Sequence, residues 1–330
     1  MIGQDAEFRA LLRYSTMIGT DPSLVQAAGG NVSLKRDGVL WVKASGTWLA
    51  HAEQKDIFVP VRLDPLLAAM HADRAEDTTP FVLTEQNPSG LRPSIETTLH
   101  GVLPHPVVVH VHCVETIAWA CRADAPARLA PLLAGVRWVF VPYVRPGAPL
   151  TRALLDVIRP DTDVIVLGNH GLVVGGADTG VAGALLAEVS RRLRRPVRPA
   201  PGPDMAALAR AAEGTDYRPV ADQAAHGTAT DPASLAVARL GSLYPDHVIF
   251  LGTGIATAPP RHPGALWAVP GAGVLLHQDA TPGAVALARC LADVCARLDP
   301  AEPLVALTPA QDAELLGWDA EKYRQTLNAR

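Results

Sequence analysis

His110 and His112 flank Val111 inside the run PVVVHVHCV at residues 106–114. In an extended strand alternate side chains share a face, so the two imidazoles project to one side, about 7 Å apart along the chain. One cation can bridge that span. Imidazole nitrogens bind zinc and similar ions at roughly 2.0–2.1 Å, and a catalytic site of this kind takes three protein ligands and keeps one position open for water or substrate. His170 is the best third ligand: it lies between Asn169 and Gly171, just past an apolar stretch at 163–167, where a turn aims it across the end of a sheet. A His-x-His pair on an apolar strand also occurs as plain packing or as backbone hydrogen bonding. Only the third histidine brings the metal reading level with that one.

Glu96 is the carboxylate nearest in sequence to the histidine strand. In a partly dry site beside a cation, a carboxylate can move a proton at the carbon next to a carbonyl that the metal polarises. A glutamate at the start of a helix is also favoured by the helix dipole alone, and the residues leave both readings open. The turns Gly29-Gly30-Asn31 and Ser45-Gly46 place backbone N–H groups and small polar side chains as anion-binding nests require, although such turns are common. No GxxxxGK[ST] and no GxGxxG after a strand points to a nucleotide. Lys43, in Trp-Val-Lys-Ala, suits a structural or charge contact better than a Schiff base.

These groups need a sheet to hold them. Residues 5–18 carry Phe8, Leu11, Leu12 and Ile18 at helical spacing. Val32 to Val42, broken by Lys35-Arg36-Asp37-Gly38, reads as a β-hairpin. A helix is expected at 64–70 and a short one at 94–101, with Ser94 as its N-cap. Strands are expected next at 106–114, 138–141, 163–167 and 172–174, then a small-residue helix at about 178–195. PVRPAPGPD at 196–204 holds four prolines and no apolar period, so it reads as a linker. Beyond it, 247–251, 266–269 and 274–277 read as strands, and 282–298 as a helix with Pro282 in its first turn.

Apolar residues make up 48% of the 330 and charged ones 19%, enough for a sizeable core and against a mainly disordered chain. A length of this order suggests two domains. The formal net charge of −4 provides no electrostatic footprint for nucleic acid. The one dense basic stretch, Arg191, Arg192, Arg194 and Arg195, reads as a solvated helix end. Four cysteines without a CxxC pair suggest neither a disulfide framework nor a thiolate metal site, and fit a reducing cytoplasm. No leader and no apolar run of about 18 residues is evident, so neither secretion nor membrane spanning is expected.

AAGGNVS at 27–33, KASG at 43–46, PSIE at 93–96, HVH at 110–112 and NHGL at 169–172 resemble, in order, the signature segments of the class II aldolase/adducin family, over roughly residues 1–195. The region from about 215, with FLGTG, AVPGAG, DATPGA and WDAEKYRQ, resembles the segment C-terminal to the aldolase unit in bacterial rhamnulose-1-phosphate aldolase/alcohol dehydrogenase fusions, with no dehydrogenase expected here. The resemblance implies an α/β fold: a three-layer α/β/α catalytic domain over 1–198 and a smaller α/β domain over 199–330. It implies that His110, His112 and His170 bind a divalent cation, most often zinc, that Glu96 is the acid/base, and that Asn31, Ser45, Gly46 and Ser94 cradle a substrate phosphate. The implied reaction is retro-aldol cleavage of a ketose 1-phosphate to dihydroxyacetone phosphate and an aldehyde, in a homo-oligomer, commonly a tetramer. Related epimerases carry Asp where this chain has Glu96, which favours cleavage. Ile95, where a second serine is common, and Glu115, where aldolases tend to be neutral, leave open decarboxylation, dehydration or epimerisation of a sugar acid or sugar phosphate. A non-catalytic, adducin-like scaffold is the third reading.

Overall fold

The computed structural model describes residues 2–260 and 264–319, so residues 320–325 of the WDAEKYRQ segment lie outside the described residues. The chain forms two compact units, one of residues 1–112 and 132–192, the other of 113–131 and 193–330. The first is a seven-stranded sheet with helices on both faces. Its strands are β1 (Asn31–Arg36), β2 (Val39–Lys43), β3 (Phe58–Arg62), β4 (Val107–Val111), β5 (Trp138–Val141), β6 (Val164–Leu167) and β7 (Gly171–Gly176), in the order β3-β2-β1-β4-β7-β6-β5. Every pairing is antiparallel except β5 with β6.

Local chemistry sets the ends of these elements. Asp5 caps the helix Ala6–Gly19 by accepting the N–H groups of Glu7 and Phe8 at 2.8 and 3.0 Å, and the helix buries Phe8, Leu11, Ser15 and Ile18. Arg36 pairs with Val39 across the two-residue turn Asp37-Gly38, both at positive φ, which is the type I′ geometry that suits a hairpin's twist. Leu99, Leu150 and Leu154, from the helices Thr97–Val102 and Ala148–Leu155, share a core with Val108, Ile165, Leu167 and Val173 on one face of the sheet. The other face is covered by the helix Thr179–Arg192: a Cβ on Gly176, which pairs with Val107, would meet Ala182. Asn31 and Ser33 pair with His110 and Val108, so by strand alternation all four point to the face that carries Thr97–Val102.

In the second unit, helices that include Pro232–Ala238, Pro245–Leu251 and Pro282–Cys295 accompany a three-stranded antiparallel sheet, β8 (Tyr217–Pro219), β10 (Gly273–His277) and β9 (Trp267–Val269) in that order. The strands expected at 266–269 and 274–277 and the helix at 282–298 are present within a few residues. The strand expected at 247–251 is a helix. Every residue of Pro245–Leu251 is buried, and a fully buried segment shows no period by which helix and strand differ. The deciding signals were Pro245 at the first helical position and Asp246 in the first turn.

Two further expectations shift in the first half of the chain. The strand at 106–114 ends at Val111, and a helix, Val114–Ala120, begins where it was expected to continue. The short helix starts at Thr97 with Glu96 in the N-cap position, so Ser94 is not its cap. The Ser94 carbonyl accepts the Thr97 N–H at 3.1 Å and the Thr97 hydroxyl at 2.6 Å, closing a turn before the helix. The four cysteines are buried and form no disulfide, and no helix among the described residues is long and apolar enough to cross a membrane.

Candidate metal centre

β4 carries His110 inside the sheet and His112 one residue past its end. Gln26 steadies that end, donating from Nε2 to the His112 carbonyl at 3.3 Å and to Pro22 O at 2.6 Å. His170 closes the three-residue loop between β6 and β7. Leu167 pairs with Gly171 across it, and Asn169 adopts φ 49°, a left-handed conformation that asparagine tolerates better than most residues. A Cβ on Gly171 would stand 2.4 Å from the Val111 carbonyl oxygen, 3.2 Å from His110 Cε1 and 3.4 Å from His112 Cδ2. Only glycine lets β7 lie this close to the histidine strand.

The three imidazoles meet. One ring nitrogen from each of His110, His112 and His170 lies within 4.8 Å of the other two, and all three residues are buried. His110 Nδ1 donates to the Leu172 carbonyl at 3.1 Å, which turns its Nε2 toward the other histidines. That Nε2 lies 3.2 Å from His112 Nε2, a separation that one shared cation can bridge. Glu96 Oε2 is 3.3 Å from His110 Nε2, and Glu96 Oε1 is 3.7 Å from His170 Nε2. Glu96 Oε1 is buried and has no hydrogen-bond partner among the described residues. A neutral donor set of three imidazoles beside an incompletely satisfied carboxylate suits a divalent cation.

Glu96 is 3% exposed. Burial pushes its carboxyl up, but the imidazoles of His110 and His170 and the Asn31 amide outweigh that and hold it down at about 2. The Asn31 amide donates to Glu96 Oε2 at 2.9 Å. Asn31 reaches this point because Gly30, at φ 59°, turns the chain against β4, where a Cβ would meet the His110 carbonyl at 2.7 Å.

Of the residues expected to cradle an anion, Asn31 stands on β1, and Ser45, Gly46 and Ser94 lie on two adjacent backbones. Ser45 donates its N–H to the Arg92 carbonyl at 2.9 Å, and Ser94 donates its own to the Lys43 carbonyl at 3.0 Å. This brings Ser45, Gly46 and Ser94 together two residues before Glu96. Gly46, at φ 75°, is the third residue of a turn closed by the Thr47 N–H on Ala44 O. Ser94 Oγ accepts the Glu96 N–H at 3.2 Å, so its own hydrogen remains available. Lys43 is buried and donates to the Ala28 carbonyl at 2.9 Å, tying down the glycine loop. Glu115 belongs to the second unit, where it accepts the Arg195 N–H and Arg297 Nε, each at 2.9 Å.

Three participants were not singled out from the sequence: Gln26, Ser33 and His100. His100 bonds Asn31 Oδ1 through Nε2 and Ser33 Oγ through Nδ1, the latter at 2.7 Å. Burial holds its imidazole down at about 3, hence neutral. Its place one helical turn after Glu96 was the available signal.

Residues 9–195 match the family described as the class II aldolase and adducin N-terminal domain. The uncharacterized oxidoreductase YuxG of Bacillus subtilis (strain 168) is 32% identical over 183 residues, which is 50% of this chain and 26% of that protein, so the chain matches about a quarter of that relative's length. Among solved structures, the N-terminal class II aldolase domain of a conserved protein from Thermoplasma acidophilum shares 30% identity at a TM-score of 0.50, covering 57% of this chain and 92% of that one. YgbL from Klebsiella pneumoniae shares 22% identity at 0.44, covering 57% and 86%.

Proposed function

The chain belongs to the class II aldolase and adducin family, and on that premise we propose that it is a metal-dependent lyase that reversibly cleaves a ketose 1-phosphate into dihydroxyacetone phosphate and an aldehyde. The observation that carries this reading is Glu96: a buried carboxylate with one oxygen fixed by Asn31 and the other without a hydrogen bond among the described residues, beside three convergent imidazoles. A divalent cation, zinc by the three-imidazole donor set, supplies Lewis-acid polarisation of the substrate carbonyl when held by His110, His112 and His170.

Glu96 Oε1 is the proton carrier. In cleavage the carbon–carbon bond breaks with its electron pair left on the carbon next to the ketone, and the aldol hydroxyl gives up its proton as it becomes the aldehyde carbonyl. Glu96, protonated at the expense of that released proton, delivers one to the carbon; condensation runs the same transfers backwards. Asn31 keeps the other oxygen occupied, which directs the proton to Oε1. The Ser45 and Ser94 hydroxyls and the Gly46 N–H donate to the substrate phosphate, away from the reacting carbon. A homo-oligomer, a tetramer by family habit, is part of the proposal, and native mass spectrometry tests it.

A second reading keeps the metal and Glu96 but acts on a sugar acid or sugar phosphate by decarboxylation, dehydration or epimerisation. Ile95 favours it, since that side chain brings no hydroxyl to the cradle. Dihydroxyacetone phosphate release from a panel of ketose 1-phosphates, with and without chelator, separates the two. Chelator-sensitive release by the wild type, abolished in Glu96→Gln at unchanged metal content, is the expected outcome. Silence across the panel from metal-loaded protein would sink the aldol reading and favour the second.

A further inference from the structure

Ser33, His100, Asn31 and Glu96 form one hydrogen-bonded row on the inner face of the sheet, with His100 and Ser33 fully buried. Chemistry assigns the direction of each bond. A carboxylate only accepts, so Asn31 presents its NH2 to Glu96 Oε2. The amide oxygen therefore faces His100, and because an amide oxygen also only accepts, His100 Nε2 carries the hydrogen. The neutral ring then offers a bare Nδ1, and the Ser33 hydroxyl donates to it. Each member has a single role, and reversing any one leaves two acceptors facing each other.

We infer that His100 is a positioning residue for this site: locked by Ser33 as the Nε2–H tautomer, it holds the Asn31 amide so that its NH2, and not its oxygen, meets the Glu96 carboxylate. The inference rests on the reading of Glu96 as the proton carrier. Loss of the Nε2–H donor frees the amide to rotate, and the carboxylate loses the bond that keeps Oε2 occupied and Oε1 aimed. Effects of this kind, one residue removed from the reacting group, are typically about 10- to 100-fold.

Replacing His100 by each of two amides separates positioning from packing. Glutamine can place an N–H near the ring's Nε2, and asparagine reaches only as far as Nδ1. His100→Gln should keep kcat within about threefold of wild type, while His100→Asn loses about 10- to 100-fold in kcat with KM changed less than threefold and metal content equal. In an Asn31→Ala background, either His100 substitution should add nothing. Equal losses in the two amide variants, or losses that multiply with Asn31→Ala, overturn the inference. Solid-state nitrogen NMR of histidine-labelled protein, with Ser33→Ala as the gentler second variant, needs no turnover. The expected wild-type signal for His100 is the Nε2–H tautomer, lost or mixed in Ser33→Ala, and an Nδ1–H tautomer in the wild type overturns the inference. A wild type that is silent on every ketose 1-phosphate but shows the Nε2–H tautomer would count against the aldol reading alone.

Discussion

Gly171→Ala is the most demanding test of how the candidate metal centre is built. The new Cβ would stand 2.4 Å from the Val111 carbonyl oxygen, where ordinary contact begins at 3.4 Å, so β7 and β4 must separate locally by about 1 Å. The obstructing atom is backbone in the middle of the sheet and cannot rotate away. Overpacking of this kind costs about 1–3 kcal/mol, and for a domain near this size each kcal/mol lowers Tm by roughly 2–4 °C. A fall of about 4–8 °C is the central expectation. The same Cβ presses on His110 Cε1 at 3.2 Å and His112 Cδ2 at 3.4 Å, and metal sites tolerate ligand displacements of only about 0.2 Å. Cation affinity should therefore fall about 10- to 100-fold. Competition against a chelator of known affinity measures this, with thermal melting alongside. Gly202→Ala is the control, since nothing among the described residues lies within 4 Å of its Cβ position. Wild-type affinity in Gly171→Ala would refute the claim that this close approach sets the histidine geometry, even if Tm fell.

Chelation should lower the Tm of wild-type protein by several degrees, because an ion that binds only the native state at about 100 times its dissociation constant contributes about 2.7 kcal/mol; in His170→Ala the chelator should change nothing. Burial holds His247 down at about 4 from an ordinary 6.5, so the native state refuses a proton that the unfolded chain accepts. Its contribution is complete above pH 6.5 and is lost as pH falls toward 4, by about 1.4 kcal/mol per pH unit and about 3 kcal/mol in all. Denaturation curves across that window should be steeper in pH for wild type than for His247→Gln, and parallel curves would contradict this. Glu115→Ala removes the acceptor of both Arg297 Nε and the Arg195 N–H; it should cost about 1–3 kcal/mol in urea denaturation and leave the bound metal per chain unchanged.

Where a short stretch decides the outcome, the residues already showed it. Asp37-Gly38 selects the hairpin turn, the alternation of His110 and His112 puts both rings on one face, and the apolar run before Asn169 presents His170 at a strand end. Buried segments were harder. The residues 247–251 are apolar and β-branched enough for a strand, and with every side chain buried nothing in their pattern opposed it; only Pro245 and Asp246 favoured the helix. Hardest were contacts made by register between strands distant in sequence. Asn31 stands opposite His110 because β1 lies against β4, a pairing that no local period encodes. The resemblance to the family makes Asn31 a phosphate ligand. Its place in the sheet gives the side chain a prior commitment, the NH2 to Glu96 and the oxygen to His100. An amide held at both ends has one N–H left for a substrate, so any phosphate contact by Asn31 is secondary to its hold on the carboxylate. Asn31→Ala should accordingly lower kcat more than it raises KM.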